Sequence, residues 1–87
     1  MCCIESQGLS LCRLRVVADA DPGALARVLE RFQNLNCLPR RVTAEFGSDD
    51  LMRVEVDIAG LSAEQLTLIT SKIGQVTCVV NAYWHWL

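Results

Sequence analysis

The sequence has little charge, and what it has is spread along the chain. Of its 87 residues, 8 are basic and 10 are acidic, which gives a formal net charge of -2. No basic block is present that would attract a phosphate backbone or an anionic lipid surface, so we expect no nucleic acid and no membrane as a partner. Glycine and proline are also few, whereas 52% of the residues are hydrophobic. This composition excludes a disordered chain and predicts one domain at 9–87, preceded by an N-terminal tail at 1–8.

Catalytic chemistry is the second thing that the sequence lacks. The single histidine, His85, stands between Trp84 and Trp86. No serine or cysteine lies in a motif typical of a nucleophile, and no carboxylate pair or HExxH-like array accompanies the histidine. We therefore predict no catalytic residue, no enzyme activity and no cofactor. His85 is then expected to be a strand residue that faces solvent or an interface.

The five cysteines, Cys2, Cys3, Cys12, Cys37 and Cys78, form no recognisable site. They include no C-x-x-C motif and no cysteine-histidine spacing of a zinc site, so we expect no metal ligands. Scattered thiols of this kind are small core residues or idle surface groups. The adjacent Cys2 and Cys3 have no partner ligand nearby for a metal or redox role. The segment MCCIESQG lacks the features of a secretion signal, which predicts a reducing, cytoplasmic location.

Six segments show the periodicity of regular secondary structure. Polar and apolar residues alternate in three of them, as expected for half-buried strands, and a fourth is rich in β-branched and aromatic residues. Two others carry an apolar stripe at helical spacing. The sequence thus predicts strands at 9–18, 40–46, 51–59 and 76–87, helices at 23–34 and 61–75, and a hairpin turn at 47–50.

The ends of the first predicted helix are marked by particular residues. Asp21 is a suitable N-cap, and Pro22 fits the first helical position, where its missing N–H costs nothing. Asn34 or Asn36 can end this helix in a left-handed conformation. These residues explain why the chain turns so tightly after the first strand.

The second predicted helix is marked at both ends as well. Ser62 and Gln65 have the spacing of a capping box, in which each side chain accepts a hydrogen bond from the backbone of the other. Gly74 stands at the C′ position, where a left-handed glycine commonly ends a helix. The core stripe of this helix is formed by Leu66, Ile69 and Ile73.

The order of the segments, β-α-β-β-α-β, predicts an α+β fold of the ferredoxin-like class. Two right-handed crossovers give a four-stranded antiparallel sheet in the order 4-1-3-2, with both helices on one face. The outward-facing charges support this order, because Arg13 and Arg15 of the first strand would face Glu55 and Asp57 of the third. Pro39, at the entrance of the second strand, favours an edge position for that strand.

The turn after the first strand is the most informative segment for function. In DADPGA, residues 19–24, Gly23 follows a proline at the start of a helix. A glycine there leaves the N–H groups of the first helical turn accessible, and such groups suit a carboxylate. A well-capped helix without any ligand is the alternative explanation for the same residues.

The stretch from Leu11 to about Val80 resembles an ACT domain, the regulatory βαββαβ module. ADADPGALARVLERF, at 18–32, matches the strand, Pro-Gly turn and helix of that family. The resemblance implies a homodimer that pairs edge strand beside edge strand and binds an amino-acid effector at the interface. It also implies a ligand-binding set of Ala20, Asp21, Gly23 and Ala24 in one chain, with Leu38 and Pro39 of the neighbouring chain closing over the ligand.

Among freestanding ACT proteins, the chain is most similar to the small regulatory subunit of acetohydroxyacid synthase or to an orphan ACT protein. This similarity implies regulation of a catalytic subunit in amino-acid biosynthesis. Two positions depart from the amino-acid-binding members: Ala20 stands where Asn or Asp is usual, and Leu38-Pro39 where Asn followed by Ile is frequent. Three alternatives follow for an amino acid: weak binding, altered specificity or no binding.

The aromatic segment near residue 85 supports a second hypothesis for function. Trp84 and Trp86 are two positions apart, so in a strand they share one face, where they complete either the core or a contact between subunits. Together with Tyr83, they make this end of the chain a candidate contact surface. On this hypothesis the domain is a purely structural assembly or protein-interaction module that binds no ligand.

Overall fold

Four strands and two helices follow one another in the predicted order. The computed structural model describes residues 10–35 and 37–87. Its elements are β1 (Leu11–Asp19), α1 (Pro22–Asn34), β2 (Arg41–Phe46), β3 (Leu51–Ala59), α2 (Ala63–Gly74) and β4 (Val79–Trp86). The strand order is β2-β3-β1-β4 and each neighbouring pair is antiparallel, which confirms the predicted ferredoxin-like topology. The predicted tail, Cys2, Cys3 and Asn36 lie outside the described residues.

β1 and β3 are the central strands, and their inner faces carry much of the core. Apolar and polar side chains alternate along both strands, so one face of each is buried against the helices. Leu14 lies opposite Val56 and Val16 opposite Val54, and all four side chains are buried. The helices cover them with the buried residues Ala24, Val28, Phe32, Leu66, Ile69 and Ile73.

Helix α1 begins as predicted, and one of the two residues predicted to end it is excluded. Asp21 is its N-cap, with the extended backbone that such a cap adopts. The C-cap is Leu35, whose φ of -89° is not left-handed, and Asn34 is the last helical residue. A left-handed Asn34 is therefore wrong, whereas Asn36, the other predicted residue, lies outside the described residues.

Helix α2 has the predicted capping box at its start. The Oγ of Ser62 accepts from the N–H of Gln65 at 3.2 Å, and the Oε1 of Gln65 accepts from the N–H of Ser62 at 2.9 Å. Gly74 is the last helical residue rather than a left-handed C′ residue, and Gln75 caps the helix at a φ of -84°. The prediction for Gly74 was therefore wrong. β4 also starts later than predicted, because residues 75–78 form a turn.

The outer face of the sheet carries ion pairs between β1 and β3. Arg13 holds Asp57 through two bonds, Nε to Oδ1 at 2.7 Å and Nη2 to Oδ2 at 3.1 Å. Arg15 places its Nη1 2.7 Å from the Oε2 of Glu55. The Arg13 guanidinium also keeps the pKa of Asp57 below its usual value. The predicted match of charges across these strands is confirmed, and it occupies the surface on which an RNA-binding member of this fold would stack bases.

The inner face of β2 is left uncovered by the helices. Val42, Ala44 and Phe46 lie opposite buried residues of β3, so they point toward the helical layer. Even so, Val42 is 41% exposed and Phe46 is 71% exposed. The alternation predicted for this strand is correct, but one of its faces remains apolar and open to solvent in a single copy. Such a face is typical of an interface.

Candidate functional site

The turn between β1 and α1 is fastened to two other parts of the fold. The N–H of Asp19 donates to the carbonyl of Cys78, in the segment before β4, at 2.9 Å. The N–H of Ala20 donates to the carbonyl of Asp50, in the turn between β2 and β3, at 3.2 Å. The candidate binding turn is therefore positioned by backbone hydrogen bonds from both sides.

The same turn uses its remaining N–H groups internally. The N–H of Asp21 donates to the carbonyl of Asp19 at 2.8 Å, and the N–H of Ala24 donates to the carbonyl of Asp21, also at 2.8 Å. The Oδ1 of Asp21 accepts from the N–H of Gly23 at 3.1 Å. The expected free N–H group at Gly23 is thus already bonded. A ligand carboxylate can reach it only if the Asp21 side chain moves away.

The four predicted site residues of this turn differ in exposure. Ala20 and Asp21 are exposed, and Gly23 is partly exposed. Ala24 is 0% exposed and packs into the core, so its side chain contributes to stability. A Cβ atom added at Gly23 would lie 3.7 Å from the Oδ1 of Asp21, which is an ordinary contact. The turn therefore presents a carboxylate and a small, accessible backbone position.

Leu38 and Pro39, the other two predicted site residues, lie at the opposite end of α1. This helix has 13 residues, which at 1.5 Å per residue separates its ends by about 20 Å. Leu38 is 89% exposed and Pro39 is partly buried. One copy of the chain therefore does not bring the six predicted residues together.

A groove lies beside Leu38 and Pro39, between the end of α1 and the start of β2. It has a volume of about 480 Å³, and its walls include Leu29, Phe32 and Val42. Sequence reasoning did not identify this groove. The one sequence signal for this groove was Pro39. A proline favours an edge strand, and an edge strand has a neighbouring strand on one side only.

His85 has a structural environment on the outer face of the sheet. Its Nε2 accepts from the Nε of Arg15 at 3.2 Å, and its Nδ1 lies 3.2 Å from the carbonyl oxygen of Trp86. This pattern corresponds to a neutral ring that carries its proton on Nδ1. Within residues 10–35 and 37–87, no group of three metal-ligating side chains occurs.

The described thiols have the character of core residues. Cys12 and Cys78 are buried, Cys37 is partly buried, and all three are free. Burial raises the pKa of Cys12 and of Cys37, which keeps these thiols protonated and unreactive. Neither helix in the described part of the chain is long and apolar enough to cross a membrane.

Solved structures of three other proteins have the same fold. The C-terminal domain of the MgtC protein from Mycobacterium tuberculosis aligns with a TM-score of 0.75 at 16% identity, over 93% of this chain and 90% of that one. The ACT domain from GTP pyrophosphokinase of Chlorobium tepidum aligns with a TM-score of 0.75 at 16% identity, over 88% and 99%. A homoserine dehydrogenase from Thiobacillus denitrificans aligns with a TM-score of 0.71 at 15% identity, over 91% of this chain but 17% of that one.

Sequence comparison identifies the family. No curated protein matches the chain in sequence. The profile of the ACT-like domain family, in contrast, matches residues 5–87, which include every strand, both helices and the Pro-Gly turn. A match of this length, together with the shared topology, leads to one conclusion: the chain belongs to the ACT-like domain family.

Proposed function

We propose that this chain is a non-catalytic regulatory ACT domain that forms a homodimer and binds a small effector, such as an amino acid, at the dimer interface. Regulation of a catalytic subunit of amino-acid biosynthesis, as by the small subunit of acetohydroxyacid synthase, is the finer form of this proposal. The observation that carries it is the uncovered apolar face of β2, together with the Pro-Gly turn that backbone hydrogen bonds hold against the turn after β2. A cytoplasmic location is part of the proposal and agrees with the free thiols.

The free edge of β2 has the features of a self-pairing strand. The N–H of Gly47 donates to the carbonyl of Leu51 across the hairpin. Because hydrogen bonding alternates along an antiparallel ladder, Val42, Ala44 and Phe46 direct their backbone groups toward the free edge. A second copy can therefore add its own β2 there, in the way that edge strands recruit other strands.

Charge complementarity favours one register for this pairing. If a two-fold axis passes through Thr43, Arg41 of each copy lies opposite Glu45 of the other. Opposite charges at directly facing positions stabilise a strand pair, and this symmetry produces two such pairs. On the inner face the same register places Val42 against Ala44, which extends the apolar layer without a charge.

This register also explains how two separated groups of site residues meet. The chain that precedes β2 in the second copy runs beside the turn that follows β2 in the first copy. Leu38 and Pro39 of the second copy then approach the 47–50 turn. That turn is bonded to Ala20 through the carbonyl of Asp50. The proposed effector site thus consists of the Pro-Gly turn of one copy and the Leu38-Pro39 segment of the other.

The charge of the turn restricts the chemistry of the effector. Asp21 presents an exposed carboxylate at the start of α1, and its Oδ1 already accepts from the N–H of Gly23. An ammonium group of an effector can donate a charge-assisted hydrogen bond to this carboxylate, whereas a carboxylate of an effector must displace it from the N–H of Gly23. The site therefore favours small molecules that carry an amino group.

A thermal unfolding screen against L-amino acids tests the proposal. A ligand at one hundred times its dissociation constant adds about 2.7 kcal/mol to the free energy of unfolding, which raises Tm by roughly 10 °C or more in a domain of this size. We expect a selective shift that Gly23→Leu abolishes and that Gly23→Ala retains, because only the larger side chain projects over the turn. A shift that survives in Gly23→Leu would remove this turn from the site.

An assembly module without a ligand remains the second candidate. It is favoured by the internal bonding of the Pro-Gly turn, where the N–H groups of Asp19, Ala20, Asp21, Gly23 and Ala24 all have acceptors within the chain. On this alternative the amino-acid screen shows no shift, while sedimentation at low protein concentration still reports a dimer that Thr43→Lys dissociates. A monomer at every concentration contradicts both candidates.

A further inference from the structure

β4 is a second edge strand, and it lacks the features that normally protect an edge. Its eight residues, VVNAYWHW, contain no lysine, arginine, acidic residue or proline. Natural proteins place charges or proline on exposed edges to prevent strand addition. β2 follows this rule in part, since it carries Arg41 and Glu45 and follows Pro39. In the described part of the chain β4 pairs only with β1, so its other side is open to a further strand.

The hydrogen-bonding groups of this open edge belong to alternate residues. The N–H of Leu87 donates to the carbonyl of Leu11 at 2.9 Å. By the alternation of an antiparallel ladder, Ala82, Trp84 and Trp86 therefore direct their N–H and C=O groups away from β1. Their side chains lie on the helical face, because the residues opposite them on β1 are buried there.

A recess runs between this edge and helix α2. It has a volume of about 540 Å³, and its walls include Thr70 and Gly74 of the helix and Val80, Ala82 and Trp84 of the strand. A Cβ atom added at Gly74 would have nothing within 4 Å. Small side chains thus leave open space above the first half of β4.

The second half of the same edge carries two large rings. Trp84 and Trp86 contact each other edge to face, with ring centroids 5.0 Å apart and an interplanar angle of 80°. Trp84 is partly buried against the core, whereas Trp86 is 46% exposed. The edge of β4 therefore has a recess that Trp84 helps to line and, beyond it, the projecting ring of Trp86.

We propose that β4 pairs with β4 of a second copy of this chain, antiparallel and about a two-fold axis through Tyr83. In this register Trp84 of each copy lies opposite Ala82 of the other. Trp86 lies next to Val80, the residue at which the ladder between β4 and β1 has a bulge. Trp86 of each copy then packs over the recess beside α2 of its partner, whereas Trp84 stays against its own core and lines its own recess. Symmetry repeats the fit, so that two Trp86 rings cover two recesses. Aromatic and aliphatic neighbours of this kind stabilise cross-strand pairs.

The outer face is compatible with the same register. Tyr83 of one copy lies next to Tyr83 of the other, and Asn81 lies opposite His85. These side chains are polar and carry no formal charge while His85 is neutral, so no ion loses its hydration when the strands meet.

The size of the contact indicates a reversible interaction. Eight residues at about 3.3 Å each make an edge about 26 Å long. With about 15–20 Å across the sheet and helix layers, each copy buries about 400–500 Å². The total of about 800–1,000 Å² is below that of standard interfaces and in the range of weak, transient ones. We therefore expect association that depends on protein concentration in the micromolar range and above.

The β4 contact uses the edge opposite to β2, so it is tested with the β2 edge blocked. Thr43→Lys places two like charges on the proposed β2 axis, while Glu55 of the same chain lies opposite and compensates the new charge within the monomer. We expect the Thr43→Lys protein to sediment as a dimer at high concentration. Adding Tyr83→Glu, whose new charge is compensated by the opposite Arg15, should convert it to a folded monomer.

Three results would overturn the proposal. The first is a Thr43→Lys protein that stays monomeric at millimolar concentration, and the second is a Thr43→Lys, Tyr83→Glu double variant that still dimerises. The third comes from mixing. In the Thr43→Lys background, Tyr83→Glu and Tyr83→Lys proteins should each be monomeric alone and form a heterodimer together. Because Arg15 lies opposite position 83 and repels a lysine there, circular dichroism first verifies that the Tyr83→Lys protein is folded. Failure of the two folded proteins to associate would exclude a two-fold axis at Tyr83.

The recess provides an independent test with a matched control. Gly74→Ala leaves most of the recess open, whereas Gly74→Leu fills it, and the empty space at this position lets the monomer accept both. We expect dimers in the Thr43→Lys background to persist with Gly74→Ala and to dissociate with Gly74→Leu. The chain has 2 tryptophans, so fluorescence quenching reports directly on Trp84 and Trp86. We expect the quenching of tryptophan fluorescence to decrease as the Thr43→Lys protein is concentrated and dimerises. Constant quenching would contradict burial of these rings.

Discussion

Replacement of Asp21 by alanine should destabilise the domain through one identified hydrogen bond. The Oδ1 of Asp21 accepts from the N–H of Gly23 at 3.1 Å, and the first turn of α1 contains no acidic side chain that could take its place. Loss of an N-cap acceptor costs about 1 kcal/mol, within a range of about 0.5–2 kcal/mol. We therefore expect Asp21→Ala to lower the free energy of unfolding by about 1 kcal/mol and Tm by roughly 4–8 °C.

Urea unfolding followed by circular dichroism measures this change, and serine provides the matched control. Asp21→Ser keeps an oxygen that can accept from the N–H of Gly23 but removes the charge, so it should differ from wild type by only a few tenths of a kcal/mol. The reasoning fails if Asp21→Ala unfolds at the same urea concentration as wild type. It also fails if the serine variant is as unstable as the alanine variant, because the cap would then not be the cause.

The same pair of variants distinguishes two modes of effector binding. If an effector binds through its ammonium group, both Asp21→Ala and Asp21→Ser should bind it more weakly, because both lack the carboxylate. If the effector binds through its carboxylate, Asp21→Ala should bind more tightly than wild type, because the N–H of Gly23 is released. Calorimetric titration of the amino acid found in the thermal screen gives the sign of the change.

Three further predictions concern the stability of the fold. Asp57→Asn should lower the free energy of unfolding by about 1–2 kcal/mol at neutral pH. Because Arg13 lowers the pKa of Asp57 in the folded state, this difference should shrink as the pH falls below about 4 and vanish below that lowered pKa. A difference that stays constant in an unfolding series over pH would contradict the role of the ion pair. Gly60 has a φ of 85°, so Gly60→Ala should lower the free energy of unfolding, measured in urea, by about 1–2 kcal/mol. Gly47→Ala should lower it by less, since the added Cβ atom meets only the ends of flexible side chains. Phe32→Ala should lower the free energy of unfolding by about 3–5 kcal/mol and lower Tm the most, because that ring is buried. Equal effects of Phe32→Ala and Gly47→Ala would contradict the described core.

Local sequence signals were sufficient for the topology because each element carries its own marker. Asp21 and Ser62 begin the helices by side-chain chemistry that depends on few neighbours. The charges on β1 and β3 then select one strand order, since Arg13 and Asp57 must face each other. Helix caps depend on residues that are close in sequence, and the charges follow the two-residue alternation of a strand. Both kinds of signal can be identified in a sequence alone.

The features that sequence reasoning missed depend on three-dimensional neighbours. Gly74 has the residue type of a left-handed cap, but the N–H of Gln75 finds carbonyls in the last turn and the helix ends without a change of hand. Ala24 lies within the predicted binding turn, yet the path of the chain places its side chain in the core. Asp21 was identified as a cap from the sequence. That its carboxylate already accepts from the N–H of Gly23, the group expected to be free for a ligand, follows only from the position of the carboxylate in the structure.

The separation of the site residues links effector binding to assembly. In one copy, α1 keeps Gly23 and the Leu38-Pro39 segment about 20 Å apart, so a small molecule cannot contact both. An effector that bridges them therefore binds only to the β2-paired dimer, and by linkage it must stabilise that dimer by the free energy of its own binding. Effector affinity should then rise with protein concentration. A β4 contact that joins such dimers would carry the same response from one pair to the next.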